Sequence, residues 1–169
     1  MKNPLTTKQL LSVGLLSVLL STNVQAKTSK GTPDFKAMSE LAISPQGVLF
    51  IGDSHKGAIT AIDFHESAVG SKIKPPEIAN LKAQIAALLG TKKTMVQVND
   101  MAVNPVSKNT YIIVTRGKAK SKNTTPVLVR VKPDSSLEVV DLSNVNYDTA
   151  NIPNLVNASK KHRNGTRAC

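Results

Sequence analysis

Asn99 and Asp100 stand side by side at the head of Asn99-Asp100-Met101-Ala102-Val103-Asn104-Pro105, and their side-chain oxygens are of the kind that a hard cation or a polar ligand requires. A calcium-like ion takes roughly six to eight oxygens, so further ligands would have to converge from elsewhere in the fold. Asp53-Ser54-His55 offers an Asp-x-His pair after an apolar run. No third ligand lies near it, and Asp53 reads as a side chain closing its own turn. His65 with Glu66, and His162, stand without evident partners. Cys169 is the only cysteine; one thiol makes no internal disulfide, and at the end of a polar tail it lacks the fixed base that would make it a nucleophile. Gly-rich phosphate loops, nucleophile elbows and Cys/His zinc spacings are absent from the sequence. No residue is therefore assigned to catalysis and none to a metal.

The elements that must position these side chains announce themselves by repetition. Residues 41–53 read LAISPQGVLFIGD, and residues 101–115 read MAVNPVSKNTYIIVT. Each has a short apolar strand, a polar residue before proline, a Ser/Gly turn, and then an apolar run. In the first unit, strands are expected at Glu40–Ser44, Val48–Ile51 and Ala58–Asp63. In the second they are expected at Asp100–Asn104, Thr110–Thr115, Pro126–Lys132 and Leu137–Leu142. Val48–Ile51 and Tyr111–Val114 are apolar throughout, which predicts burial on both faces. Thr94–Val98 would give the first unit a fourth strand.

A helical period interrupts in PPEIANLKAQIAALLG, residues 75–90. Ile78, Leu81, Ile85 and Leu88 recur at helical spacing, Pro75 and Pro76 suit a first turn, and Gly90 with Lys92 and Lys93 supplies a stop. The helix is expected over 77–90, amphipathic and packed over the sheets. The resulting organisation has a first sheet over 38–98 containing the helix and a second over 99–150. Repeated four-strand units of about 45 residues are the signature of propeller blades. The expected class is mainly β, with two four-stranded antiparallel blades and one inserted helix, an incomplete propeller.

The N-terminal residues belong to a different function. Lys2 and Lys8, the apolar core Leu10–Leu20 and the small-x-small site Val24-Gln25-Ala26 make a secretory signal over 1–26. The apolar core is shorter than the roughly 20 residues that span a bilayer, so no stable membrane insertion is expected after cleavage, and the product is periplasmic or extracellular. Lys27–Ala37 then reads as a flexible leader. Without Lys2 and Lys8 the chain carries 20 basic against 11 acidic residues, a net +9, which favours anionic surfaces. The cations gather in the loop Arg116–Lys122 and in the tail 154–169, which reads as disordered. Neither run contains aromatics that could stack on bases, so nucleic acid is not an expected partner.

The turn motifs Ile43-Ser44-Pro45-Gln46-Gly47 and Val103-Asn104-Pro105-Val106-Ser107 resemble those of exported β-propeller proteins of the gluconolactonase and NHL-repeat kind, over roughly residues 38–150. Asn99–Pro105 is similar to the Asn-Asp-Gly-Lys-Val-Asp-Pro segment of gluconolactonase-like enzymes. The resemblance implies an asparagine at 99 facing a central site. It also implies a first-blade glutamate ligand, whose position falls on Ser39 with Glu40 one residue off, and further ligands from later blades that this chain does not contain. Known propellers close with about four to eight blades, so the chain reads as a truncated or frameshifted propeller.

The expected function is a noncatalytic exported module offering a surface to a protein, a glycan or a small ligand. Asn99, Asp100 and Arg116, where the basic loop begins, are its candidate ligand-binding residues. The alternative is the remnant of a metal-dependent lactone hydrolase, and a divalent cation such as calcium is implied only there. Export makes the mature chain begin at Lys27. N-terminal sequencing of exported protein should read Lys-Thr-Ser-Lys, and Met1 intact on soluble cytoplasmic protein would overturn this.

Overall fold

The computed structural model describes residues 28–70, 74–118, 121 and 123–153. The expected signal 1–26, the expected disordered tail 154–169 and residues 119, 120 and 122 of the basic loop lie outside them. The strands are β1 (Ser29–Gly31), β2 (Glu40–Ile43), β3 (Leu49–Asp53), β4 (Ala58–Asp63), β5 (Val96–Val103), β6 (Thr110–Arg116), β7 (Thr125–Val131), β8 (Leu137–Val139) and β9 (Val145–Asn151). One α-helix, α1 (Leu81–Leu88), and a single 3-10 turn at Lys93–Met95 lie between β4 and β5. The strands form two antiparallel sheets, β1-β9-β4-β3-β2 and β5-β6-β7-β8. The protein is mainly β, and no described helix is long and apolar enough to cross a membrane.

The tight connections follow from side chains that cap them. Ser44 Oγ accepts from the backbone N–H groups of Gln46 and Val48, both at 3.2 Å. Asn104 Oδ1 does the equivalent for Val106 at 2.8 Å and Ser107 at 3.3 Å. A short polar side chain ahead of proline thus replaces a backbone acceptor in both copies of the repeated phrase. The two turns also touch, because Asn104 Nδ2 donates to the carbonyl of Gly47 at 3.3 Å. Gly47 has a φ of 90°, and a Cβ there would lie 3.2 Å from the Asn104 amide. Only glycine combines that conformation with that approach.

Packing is layered. Leu49, Ile51 and Ile62 of the five-stranded sheet meet Tyr111, Ile113 and Leu128 of the four-stranded sheet, with Met38, Val140 and Val145 closing the margins. On the far side of the four-stranded sheet, Ile112, Val114, Val129 and Val131 meet Ile85 and Ala86 of α1. Tyr111–Val114 is therefore buried on both faces, as its unbroken apolar run predicts. Val48–Ile51 is not. Leu49 and Ile51 are buried, but Phe50 points to the outer face of the five-stranded sheet, where no described element covers it, and is exposed.

Four further expectations change. The first sheet has five strands rather than four, because β9 pairs along β4 from Ala58–Asn151 to Asp63–Asn146 and β1 pairs with β9. Thr94–Val98 does not complete it; Val96 begins β5, so the expected boundary at 98/99 falls inside one continuous strand of the second sheet. Residues 27–37 are not a free leader along their described length, since Ser29–Gly31 is a strand and Lys36 N donates to Asp53 Oδ2 at 2.6 Å. The helix begins at Leu81 rather than residue 77, because Asn80 adopts a left-handed conformation, φ 56°, without a side-chain cap. Its end agrees with the sequence. Gly90 has φ 59°, its N–H donates to the Ala87 carbonyl at 3.1 Å, and Thr91 N donates to that of Ala86 at 2.9 Å, the paired bonds of a Schellman stop.

Double-sided burial of β6 makes a measurable demand. Ile112→Ala and Ile113→Ala, on opposite faces, should each lower the unfolding free energy by about 2–5 kcal/mol, whereas exposed Val103→Ala should stay within about 0.5 kcal/mol. Urea unfolding followed by circular dichroism reads this. A loss confined to Ile113→Ala would show that α1 does not cover the sheet.

Candidate functional site: a polar cleft at the seam of the sheets

β2 and β5 lie beside each other as the facing edges of the two sheets, and no strand ladder joins them. Side chains make the connection instead. The β5–β6 register runs Val98–Val114 and then Asp100–Ile113, so Asn99 is the extra residue of a β-bulge. A bulge re-aims the side chain it carries. Asn99 Nδ2 spends its hydrogens on the Met38 carbonyl at 3.0 Å and on Thr115 Oγ1 at 2.8 Å. Asp100 Oδ2 accepts from Leu41 N at 2.8 Å, and its Oδ1 accepts from Met101 N at 2.8 Å. An N–H on the free edge of β2, which would otherwise invite another strand, is thereby satisfied by a carboxylate from the neighbouring sheet.

The start of this seam opens into a cleft of ≈ 390 Å³. Met38, Val98 and Pro126 supply its apolar wall, and Lys36, Ser54, His55, Gln97, Asn99 and Thr124 stand among its polar groups. With its amide hydrogens used, Asn99 can offer a ligand its Oδ1 acceptor; the others offer hydroxyl, amide, imidazole and ammonium groups. Asn99 thus lies at a cleft, while Asp100 serves the seam. Arg116 follows Thr115 along β6 and so projects from the opposite face, exposed and outside the cleft lining. Asp53 closes its turn as its sequence suggests, accepting from His55 N at 3.0 Å and Lys56 N at 2.9 Å, and this turn carries Ser54 and His55 to the cleft rim. No group of three or more His, Cys, Asp or Glu able to hold a metal occurs among the described residues.

Sequence reasoning missed a second polar centre, at the other end of β5. Glu66 is not without partners. Its Oε1 accepts from Asn109 Nδ2 at 2.7 Å, Tyr111 Oη at 2.8 Å and Arg130 Nη1 at 2.9 Å; its Oε2 accepts from Asn104 Nδ2 at 2.9 Å and Ser107 Oγ at 2.5 Å. Arg130 also bonds Glu138, and Phe64 stacks on Tyr111 with ring centres 5.7 Å apart. His65 pairs with Asp63 at 3.1 Å. A cleft of ≈ 480 Å³ adjoins the centre, but five donors saturate the Glu66 carboxylate. It acts as an anchor for the chain after β4. One signal was available: Tyr111, Arg130 and Glu138 share a rung once β6, β7 and β8 are in register. Nothing near Glu66 in sequence points to it.

Burial pushes the Glu66 carboxyl up, yet the hydrogen bonds from Ser107, Tyr111 and Asn109 and the Arg130 charge outweigh it and hold the group below its ordinary value. Burial and the bond to Glu66 push the Tyr111 hydroxyl up. Comparison of the chain with family models, curated proteins and solved structures gave no match.

A carboxylate held below its ordinary pKa stabilises the fold above the ordinary carboxylate range, and that stability is lost as pH falls through the lowered value. The melting temperature of the wild type should therefore fall on acidification more steeply than that of Glu66→Gln. Glu66→Ala, which removes the shared acceptor of Asn104, Ser107, Asn109 and Tyr111 while Arg130 keeps Glu138, should cost about 2–3 kcal/mol at neutral pH. Parallel profiles for wild type and Glu66→Gln would remove Glu66 from this role.

Proposed function

We propose that this chain is an exported, noncatalytic binding module of propeller type whose seam cleft takes a neutral, hydroxyl-rich ligand such as a sugar unit of a glycan. The reading rests on one observation. Asp100, the one carboxylate of the pair that a lactone-hydrolase reading would turn toward a divalent cation, spends both oxygens on backbone N–H groups, Oδ2 on Leu41 of β2 and Oδ1 on Met101. What the cleft retains is a scatter of hydroxyl and amide groups over a small apolar wall. Such a lining matches alternating donors and acceptors on a polyol. Lys36, the lysine of its lining, lies 3.6 Å from the Asp34 carboxylate.

Calorimetric titration of the mature protein with oligosaccharides, in chelator and then in calcium, tests this. Binding should not depend on the metal, and Gln97→Ala and Thr124→Ala should each weaken it about fivefold to tenfold, the worth of one hydrogen bond. Calcium-dependent hydrolysis of a sugar lactone that disappears in Asp100→Asn, with the fold intact, would favour the hydrolase reading instead.

A further inference from the structure

The two outer faces of the sheet pair are unequal and complementary. Across the outer face of the five-stranded sheet, the register lines up Ala42, Phe50, Ala61 and Asp148 in one rung and Glu40, Gly52, Ile59 and Ala150 in the next. Phe50 and Ile59 project from the middle of these rungs, 36% and 43% exposed. Glu40 and Asp148 thus belong to the apolar rungs themselves, and Asp63 lies on the same face along β4, with Lys30 at the far edge on β1. The outer face of the four-stranded sheet is covered only in part by α1. Beside the helix it leaves a groove of ≈ 240 Å³ lined by Pro76, Ile78, Leu81, Met101, Ile112 and Val131. Met101 is 51% exposed and Val103 58% exposed. The groove lining has no carboxylate; of the residues that flank it, Lys82, next to Leu81, and Lys108, in the turn after Val103, are cationic, and Glu77, between Pro76 and Ile78, is paired with Lys74 at 2.9 Å.

We infer that these faces are the two halves of a head-to-tail contact between copies of this chain: the Phe50/Ile59 face of one copy seats on the Met101/Val103 groove of the next. Charge argues for this pairing over face-on-same-face association. Two copies meeting through the Phe50 face would bring Glu40, Asp63 and Asp148 against their own counterparts, whereas the groove meets them with lysines. Shape argues the same way, since one face offers projecting side chains and the other a concavity. The faces lie on opposite sides of the sheet pair, so each copy can give one and receive the other, the heterologous arrangement that closes into rings or continues as a stack.

Size sets the strength. Five strands about 4.8 Å apart and about five residues long give a face of roughly 330 Å², well below the roughly 800 Å² per partner of a stable complex. Association should therefore be weak and visible only in a concentration series. The inference does not depend on what the seam cleft binds.

Sedimentation of the mature protein should show the weight-average mass rising with concentration. Phe50→Lys and Met101→Glu each place a charge against its like across the contact, and each variant alone should stay monomeric. Mixed in equal amounts they should associate again, because each retains the one face that the other needs and the two altered faces carry opposite charges. Ile59→Lys and Val103→Glu, at still more exposed positions, repeat the test if a first variant fails to fold. A wild type that remains monomeric throughout the series overturns the inference. So does Met101→Glu that self-associates like wild type, which would mean an isologous contact through the Phe50 face, and so does a mixture that yields no pair.

Discussion

The pairing of β9 with β4 governs the rest of the structure. It lays Asn151 against Ala58 and Asn146 against Asp63, so the five-stranded sheet is completed only after the whole second sheet has been laid down between its halves. Closing a loop of that length costs entropy early and returns contacts late. The return is a layered core. An excursion that leaves after β4 and comes back as β9 must fold over the sheet it left, and its inner face supplies Tyr111, Ile113 and Leu128 to Leu49, Ile51 and Ile62. With β9 occupying the edge of β4, β5 is free to open the second sheet, and its own edge then faces β2. The seam exists because that place in the first sheet was already filled.

What could be read from sequence divides along the same line. Strands bounded by chemically explicit turns were legible, because Ser44, Asn104 and Asp53 close their turns through their own side chains, a local act. The helix stop at Gly90 is local too, and its late start traces to Asn80, whose left-handed backbone no side-chain rule required. β9 was not legible. Val145-Asn146-Tyr147-Asp148-Thr149-Ala150-Asn151 is largely polar and exposed, since it lies where only one face meets the core, and its strand character comes from β4. β1 depends in turn on β9. Phe50 looked buried because an apolar run cannot say whether a second layer covers it; α1 supplies that layer for Tyr111–Val114 and nothing described supplies it for β3.

The candidate site was half legible for a related reason. Asn99-Asp100 stood out by residue type, and the structure gives both a definite task, but that task follows from a bulge that no spacing rule revealed. The two ends of β5 also show how similar groups come to different uses. At the Glu66 end one carboxylate gathers five donors, and every atom is spent on holding the chain together. At the Asn99 end the ties leave an acceptor and a rim of hydroxyls beside a cavity. Polar capacity left over after the fold has been satisfied is what separates a site from a strut.

Charge completes that argument. Most of the acidic residues spend themselves locally: Asp53, Asp63, Asp134 and Asp141 on the backbone of their own turns, Asp100 on the seam, Glu66 and Glu138 on Arg130, Asp34 and Glu77 on lysines. Glu40 and Asp148 remain together on the outer face of the five-stranded sheet. The surplus cations therefore set the long-range field almost unopposed, and that field is diffuse and weakened by salt. A field of that kind gathers partners without choosing among them. Selection has to come from short-range features, the hydroxyl-lined cleft for a ligand and the fit of Phe50 to a groove for another copy. Of the two outer faces, only the one that keeps its carboxylates can meet a second copy of so basic a chain without repulsion.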